Sequence, residues 1–264
     1  MESNRKKVAV VTGATSGIGE AFARACAEAG CDLIITGRRR EKIASVADSI
    51  RRLHDVDVEV VIAELADRDD LRRLVERIRG VDDLAILVNN AGFAENGFFH
   101  EQEIDRQRAM LRVHADATME LTHAVLPGMV KRKTGAIINV SSLGGLMPFP
   151  NNAVYSGSKA FVLFFTESIS LELRGTGVRA QALCPGMTVT DFHEKMGFDP
   201  EDLYTSKGMR RAMSPDEVVE ISFAYLEKDR PICIPGRNNR TTYLLTRLLP
   251  RRLLYALISA SLRK

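Results

Sequence analysis

Three residues in the middle of the sequence carry side chains suited to moving a proton: Ser142, Tyr155 and Lys159. Tyr155 and Lys159 are four residues apart in a helical pattern, so they share one face of that helix. Reduction of a ketone by hydride produces an alkoxide, which a tyrosine can protonate. A nearby ammonium lowers the pKa of the phenol, and a serine hydroxyl can stabilise charge that develops on the carbonyl oxygen. The constellation therefore predicts acid–base chemistry at a carbonyl or alcohol carbon.

A glycine-rich turn follows the first apolar run, in the order Thr-Gly-x-x-x-Gly-x-Gly. Glycine permits a tight turn and a close approach of the backbone to a ligand. The helix that starts here offers free N–H groups and the positive end of its dipole, which suit a pyrophosphate. A tight turn needs glycine too, but the position between strand and helix favours a nucleotide loop. The predicted contacts are Gly13, Thr15, Ser16, Gly17, Ile18 and Gly19.

The end of the second apolar run distinguishes between the two nicotinamide dinucleotides. A carboxylate there would bind ribose hydroxyls and favour NAD, but the chain has Arg38, Arg39 and Arg40 before its next acid, Glu41. A guanidinium is a good bidentate partner for a 2′-phosphate. We therefore predict NADP(H) rather than NAD, with Arg38 as the first contact and Arg39 as the second. A solvated basic start of a helix is the alternative.

The strands and helices that must position these residues are predicted from a repeating pattern of short apolar runs and longer helical stretches. Most of the apolar runs lack polar alternation, which is typical of strands covered on both faces in a parallel sheet. The alternation predicts one α/β domain with a doubly wound, mostly parallel sheet of seven strands, whose ligands bind at the carboxyl edge. The predicted strands are 7–11, 32–35, 56–62, 84–88, 136–140, 178–183 and 231–234. The predicted helices are 17–29, 40–53, 67–79, 103–131, 154–174 and 215–226.

Composition excludes several classes of protein. The 264 residues are 45% apolar and 27% charged, an ordinary globular mixture. The four cysteines form no Cys-x-x-Cys pair, so we expect neither a zinc site nor a disulfide framework. A net charge of +3 gives no general footprint for nucleic acid. The apolar run near the start is too short for a signal peptide or a spanning helix, so a cytoplasmic protein is expected.

Five motifs in order make the chain similar to the short-chain dehydrogenase/reductase family over roughly residues 6–235. The family has a Rossmann-type fold. The motifs are the glycine loop, Asn89-Asn90-Ala91-Gly92, Ser142, Tyr155-x-x-x-Lys159 and Pro185-Gly186.

The resemblance implies roles for further residues. Glu64 and Leu65 would lie beside the adenine, although Asp is commoner than Glu at the first position. Lys159 would also bind the nicotinamide ribose. The adenosine ribose would be lined by Asn90, Ala91 and Gly92, and the carboxamide would be held by Pro185, Gly186, Thr188 and Thr190.

Two positions leave alternatives open. His114 stands where the family usually has an asparagine that supports a water chain to the lysine. Histidine can donate and accept, so we predict a relay through His114, with a packed core histidine as the equal alternative. Ser141 is the rival of Ser142, and the thirteen-residue spacing to Tyr155 favours Ser142.

Two segments interrupt the alternation of strands and helices. Residues 187–213 form a long connection, which we interpret as a lid belonging to a domain of residues 1–240. Residues 241–264 form a basic, apolar tail with amphipathic character. We expect this tail to pack on a neighbouring subunit or on the body, or to contact an anionic membrane surface. The two longest helices match the usual dimer faces of the family, which implies a homodimer or homotetramer.

The chain is therefore predicted to be an NADP(H)-dependent carbonyl reductase or alcohol dehydrogenase with a small-molecule substrate. An apolar, methionine-rich wall favours a hydrophobic carbonyl compound. A 3-oxoacyl thioester reductase is the alternative substrate class, and a dinucleotide-binding sensor or scaffold without turnover is the alternative of another class. The predicted wall comprises residues 143–149, Phe192, Met196, Phe198, Leu203, Tyr204, Met209 and Met213.

Overall fold

The computed structural model describes residues 6–194 and 212–261. In these ranges seven strands form one sheet in the order β3-β2-β1-β4-β5-β6-β7, and every neighbouring pair is parallel. The doubly wound, seven-stranded sheet predicted from the sequence is confirmed. The strands are β1 Val8–Thr12, β2 Asp32–Gly37, β3 Val58–Ile62, β4 Leu84–Asn89, β5 Gly135–Val140, β6 Val178–Leu183 and β7 Ile232–Cys233.

Helices follow the strands along the chain. One long predicted helix, 103–131, is interrupted by a π-helical turn at Arg112–Asp116, which divides it into two helices. The helices are α1 Gly17–Glu28, α2 Arg40–Leu53, α3 Arg68–Arg79, α4 Ile104–Leu111, α5 Ala117–Arg132, α6 Ala153–Glu172, α7 Asp191–Glu194, α8 Pro215–Glu227, α9 Arg237–Leu248 and α10 Arg251–Ser261.

Both faces of the sheet are buried, as the absence of polar alternation in the strands predicts. Along β1, Ala9 and Val11 belong to one apolar cluster, whereas Val10 belongs to another on the opposite face. The first cluster is covered by α1, α2 and α8, and the second by α3 and α5. The sheet is thus a rigid central layer, and its carboxyl edge holds the loops that carry the motifs.

The strand order reverses direction at β1, and this reversal positions the glycine loop. The chain moves outward from β1 to β2 and β3, then returns to place β4 on the other side of β1. The ends of β1 and β4 are joined by the Thr12 hydroxyl, which accepts hydrogen bonds from the N–H groups of Asn90 (2.9 Å) and Ala91 (3.0 Å). Such a crevice is where doubly wound sheets bind their ligands.

Within the described residues, no helix combines the length and the apolar character needed to cross a bilayer. The basic, apolar tail instead forms α9 and α10, of which α9 already begins at Arg237.

Candidate active site

A cleft of about 290 Å³ runs along the carboxyl edge of the sheet. It collects residues from the ends of at least five strands, which lie far apart in the sequence. Four predicted site residues are outside the lining: Gly17, Gly19, Thr190 and His114. The predicted residues that line it are Gly13, Thr15, Ser16, Ile18, Arg38, Arg39, Glu64, Leu65, Asn90, Ala91, Gly92, Ser142, Tyr155, Lys159, Pro185, Gly186 and Thr188.

The glycine loop is held tightly against the end of β4. The Asn90 side-chain amide donates to the carbonyl groups of Thr12 (3.0 Å) and Gly13 (3.1 Å). Gly13 has a φ of +66°, which a residue with a side chain rarely adopts. A Cβ on Gly19 would lie 2.3 Å from the Asn90 amide nitrogen, so this position has no room for one. Gly17 has a φ of +61°, so all three loop glycines are required by backbone conformation or close packing.

Arg38 and Arg39 follow β2 and line the end of the cleft that is opposite to the end of β5, where Ser142 lies. The Arg38 guanidinium donates to the Glu64 carboxylate at 3.0 Å. Arg39 donates to the hydroxyls of Thr15 (2.6 Å) and Ser16 (2.9 Å), and so is tied to the glycine loop. Arg39 also lies 3.6 Å from the Asp191 carboxylate. Both guanidiniums are therefore paired with an acid, but only Arg39 is also bonded to the glycine loop.

The donors around the cleft fit a nicotinamide dinucleotide. The Ser16 side chain does not cap α1, so the first N–H groups of this helix are available to a phosphate. Thr36 also lines the cleft, and its hydroxyl is buried without a hydrogen-bond partner among the described residues. An orphaned buried hydroxyl is costly unless a ligand or water satisfies it. The sequence reasoning did not single out Thr36, although its place at the end of β2 points to it.

The structure distinguishes the two candidate serines. The Ser141 hydroxyl is buried and donates to the backbone carbonyl of Lys159 at 2.7 Å, so it fixes the main chain of α6. The Ser142 hydroxyl accepts from the Gly144 N–H at 3.0 Å, and it is close enough to the Tyr155 phenol to lower the pKa of that phenol. Ser142 is therefore the serine whose hydroxyl lies beside the phenol.

Burial shifts the pKa values of Tyr155 and Lys159 in opposite directions. It raises the pKa of the Tyr155 phenol to about 12, although the hydrogen bond from Ser142 acts against it. It lowers the pKa of the Lys159 ammonium to about 8. The Lys159 ammonium donates to the Val140 carbonyl at 2.8 Å and lies 5.9 Å from the centroid of the Tyr155 ring. From the sequence, the Lys159 ammonium, helped by the oxidised nicotinamide, is expected to lower the pKa of the phenol. In the protein alone burial is the largest influence on this pKa and raises it, so an acidified phenol stays a prediction for the complex with the cofactor.

Lys159→Met is expected to alter how stability depends on pH. The folded-state pKa of about 8 lies below the ordinary value of 10.5, so between these pH values the folded protein binds fewer protons than the unfolded chain. The stability contributed by Lys159 therefore rises with pH across this range. The free energy of unfolding of the wild type, minus that of the variant, should increase by about 1 kcal/mol between pH 7 and 9. Urea titrations at both pH values measure it.

Subtracting the variant's free energy of unfolding from that of the wild type cancels the contribution of the thiols, because both proteins contain them. Burial raises the pKa values of Cys26, Cys184 and Cys233 to about 12, so both proteins should lose stability in alkali for this shared reason. A difference that stays constant from pH 7 to 9 would show that the Lys159 amine titrates normally.

His114 lies in the π-helical turn between α4 and α5, directly behind the cleft. Its Nε2 accepts the N–H of Phe93 at 3.2 Å, so Nδ1 carries the proton and donates to the Ser158 hydroxyl at 2.8 Å. The Ser158 hydroxyl in turn donates to the carbonyl of Tyr155 at 2.7 Å. Burial, with the nearby Lys159 charge, holds the pKa of His114 well below its usual range.

The neutral His114 ring therefore connects the loop after β4 with the first turn of α6. Its ring packs edge-on to Tyr155, with the centroids 5.7 Å apart. A role in a proton relay remains a prediction, and the backbone partner matches the alternative of a packed histidine. The sequence reasoning missed Ser158, although a hydroxyl three residues after Tyr155 in a helix shares its face.

The described ends of the predicted lid lie beside the catalytic residues. Met213 accepts from the Val189 N–H at 2.9 Å and donates to the Met187 carbonyl at 3.0 Å, which joins the two ends of the segment. The Phe192 ring lies with its centroid 5.9 Å from that of Tyr155. The predicted wall residues Met196, Phe198, Leu203, Tyr204 and Met209 lie outside the described residues.

Comparison with known proteins agrees with this geometry. A sulfoacetaldehyde reductase of Chromohalobacter salexigens is 36% identical over 70% of this chain and 74% of its own. A very-long-chain 3-oxoacyl-CoA reductase of Anas platyrhynchos is 34% identical over 72% of this chain and 63% of its own. A short-chain dehydrogenase from Sphingobium yanoikuyae, solved in complex with NADPH, superposes with a TM-score of 0.81 at 30% identity, covering 97% of this chain and 93% of its own.

The sequence model of the short chain dehydrogenase family matches residues 7–200, which is well over half of the chain. The matched region contains the glycine loop, the Asn-Asn-Ala-Gly motif and the serine, tyrosine and lysine at the cleft. Together with the sheet order, this match shows that the chain belongs to the short-chain dehydrogenase family, whose members are oxidoreductases acting on alcohol and carbonyl groups.

Proposed function

We propose that the protein is an NADPH-dependent reductase that interconverts a hydrophobic carbonyl compound and its secondary alcohol. The observation that carries the proposal is that Ser142, Tyr155 and Lys159 line the same cleft as Arg38 and Arg39. The arginines follow β2 and Ser142 follows β5, three strands away in the sheet. The NADPH complex of the Sphingobium relative supports the choice of cofactor.

Tyr155, Ser142 and Lys159 have different roles in the proposed reaction. When bound, the nicotinamide supplies the hydride that reaches the carbonyl carbon. Tyr155 is a neutral phenol at physiological pH, because its pKa is about 12, and it is therefore in the form that donates a proton to the substrate oxygen. Ser142 hydrogen-bonds that oxygen and stabilises its developing charge. Lys159, with a pKa of about 8, holds a positive charge beside the phenol and stabilises the phenolate that remains.

The surroundings of Tyr155 favour an apolar substrate. Phe192 faces its ring, and Phe93, Ala94 and Val113 line the same part of the cleft. The loop after β4 and the loop before α6 meet there, since the Gly97 N–H donates to the Asn151 carbonyl at 2.9 Å. These two loops expose the aromatic rings of Phe98, Phe99 and Phe149. Exposed apolar side chains next to a cleft favour a hydrophobic ligand.

Charge argues against a small anionic substrate. The cationic residues in the described lining are Arg38 and Arg39 at the far end and Lys159 beside the phenol. Lys159 is already directed to the Val140 carbonyl. A sulfonate near Tyr155 would therefore lack a dedicated cation among the described residues, whereas the apolar chain of a 3-oxoacyl thioester would find aromatic contacts.

Exposed apolar side chains on two helices favour the predicted homodimer or homotetramer. Helix α6 exposes Phe164 and Leu171, and α5 exposes Met119, all of which are large apolar side chains. We propose that these faces of α5 and α6 are covered by a second copy of the chain, in a self-complementary contact.

A graded panel of substrates tests the function. Purified protein is mixed with NADPH and 2-ketones of increasing chain length, with 3-oxoacyl thioesters, and with sulfoacetaldehyde as the short anionic control. We expect kcat/KM to rise about fourfold for each added methylene until the apolar region is filled. The absorbance of NADPH at 340 nm reports the rate.

Two results of the panel would contradict the proposal. Absence of NADPH oxidation with every carbonyl compound would favour the sensor or scaffold alternative, provided that the dinucleotide still binds. A preference for sulfoacetaldehyde over all the ketones and thioesters would disprove the hydrophobic substrate class and leave the reductase chemistry intact.

A further inference from the structure

The helices α9 and α10, here called the C-terminal helical pair, carry a surface that the reductase function does not use. We propose that this pair lies on the surface of an anionic lipid bilayer, with its leucines inserted among the acyl chains and its arginines at the headgroups. The proposal rests on the exposed apolar side chains, the charge pattern and the way the pair is attached to the body.

One side of the pair fastens it to the body of the protein. Tyr243 packs against the apolar cluster that contains Leu163 and Ile234. The Arg240 guanidinium donates to the hydroxyl of Tyr225 on α8 at 2.9 Å. The pair is therefore anchored through the start of α9, and its other side is left to solvent.

The outward side exposes five leucines, and three exposed arginines lie between them in the sequence. Leu248 is 80% exposed, and Leu244 and Leu257 are each 56% exposed. Leu245 and Leu253 are exposed to similar degrees, at 52% and 48%. Single exposed leucines are common on protein surfaces, but five within fourteen residues are a patch that calls for a partner. An amphipathic helix of this kind buries such a face at the boundary between headgroups and acyl chains.

The positive charge of the C-terminal helical pair indicates that its partner is anionic. From Arg237 to Lys264 the sequence has seven Lys and Arg and no Asp or Glu, whereas the rest of the chain has 30 bases against 34 acids. Arg251 and Arg252 stand in the first turn of α10, where they add to the positive end of the helix dipole. The positive charge is thus concentrated beside the leucines, which fits an anionic lipid surface.

Arginine and tyrosine are paired along the helical pair. The Arg247 guanidinium lies 5.5 Å from the centroid of the Tyr243 ring and donates to its hydroxyl at 2.8 Å. Arg251 lies 5.7 Å from the Tyr255 ring and donates to its hydroxyl at 2.9 Å. Tyrosine and arginine each combine an apolar body with a polar end, and both are favoured at the level of the headgroups.

The same charges disfavour a second copy of the chain as the occupant. A two-fold contact between helical pairs would bring identical patches together. Each patch contains only basic charges, so the two would repel each other. An anionic bilayer, by contrast, would accept both the exposed leucines and the basic charges of one helical pair.

Vesicle flotation of the full-length protein tests the proposal. We expect the protein to float with vesicles of phosphatidylglycerol and phosphatidylcholine, and to stay behind with phosphatidylcholine alone. Raising the salt to 0.5 M should weaken the binding, because it screens the arginines. The variant Arg252→Gln/Leu253→Ser should bind at least about tenfold more weakly, since it removes one cation and one inserted side chain.

The chain offers a matched control in Arg52→Gln/Leu53→Ser. This pair has the same residue types at the end of α2, where Leu53 is 70% exposed. The control should float like the wild type, and both variants should keep the catalytic activity, so lipid binding is scored separately from turnover. Failure of the wild type to float with anionic vesicles would overturn the proposal, as would equal losses in both variants. One further pair of results would overturn it: the wild type does not bind vesicles, and the Leu253 variant changes from dimer to monomer. A second copy of the chain would then be what covers the leucines.

Discussion

Tyr155→Phe should lower kcat/KM by about 1,000-fold while leaving the affinity for NADPH nearly unchanged. The substitution removes only the hydroxyl and its interaction with the Ser142 side chain. The ring keeps its packing against His114 and Phe192, whose centroids lie 5.7 and 5.9 Å away. The loss should therefore fall on proton transfer and not on folding. Because the chain contains no tryptophan, the fluorescence of NADPH itself reports its binding without interference.

Tyr225→Phe is the matched control for this experiment. It removes a hydroxyl that bonds Arg240 on the surface, away from the cleft, and it should leave kcat/KM within about twofold of the wild type. Full activity of the Tyr155 variant would show that another group donates the proton. Loss of NADPH binding in that variant would instead point to a structural defect and would disprove the separation of binding from chemistry.

Arg38→Leu should reduce kcat/KM for NADPH by about 10- to 100-fold and change that for NADH by less than about threefold. A hydrogen bond between a guanidinium and a 2′-phosphate is charge-assisted, and NADH has no such group to lose. Arg38 is half-exposed and bonded to the Glu64 carboxylate, so its removal disturbs little of the surrounding structure. The ratio of the two kcat/KM values, measured by absorbance at 340 nm, reports the effect.

Arg39→Leu should behave differently, although it is the next residue. Arg39 is bonded to the hydroxyls of Thr15 and Ser16, and its loss loosens the glycine loop that either dinucleotide would use. We therefore expect kcat/KM to fall for both cofactors. Arg40→Leu is the control, because Arg40 is exposed and outside the cleft lining, and it should change neither value. An unchanged NADPH-to-NADH ratio in the Arg38 variant would disprove the assignment of this arginine to the 2′-phosphate.

The sequence was sufficient to predict the order of the elements. Apolar runs such as 178–183 are local signals, and burial on both faces explains why they lack polar alternation. The long helix was predicted as continuous, but its π-helical turn at Arg112–Asp116 was missed, because the extra residue leaves little trace in the periodicity. The ends of other elements differ by a few residues, as expected where hydrogen bonding decides the boundary.

For the site, too, some properties follow from the sequence and others only from the tertiary structure. Residue types and spacing were enough to predict that Ser142, Tyr155, Lys159 and the two arginines lie close together, because parallel strands bring their carboxyl ends to a common edge, and all five line one cleft. Only the tertiary structure decided the ionisation of that site. The raised pKa of Tyr155, the lowered pKa of Lys159 and the neutral His114 all arise from desolvation. Desolvation depends on every segment that packs around a group, so the spacing of residues along one segment cannot predict these pKa shifts.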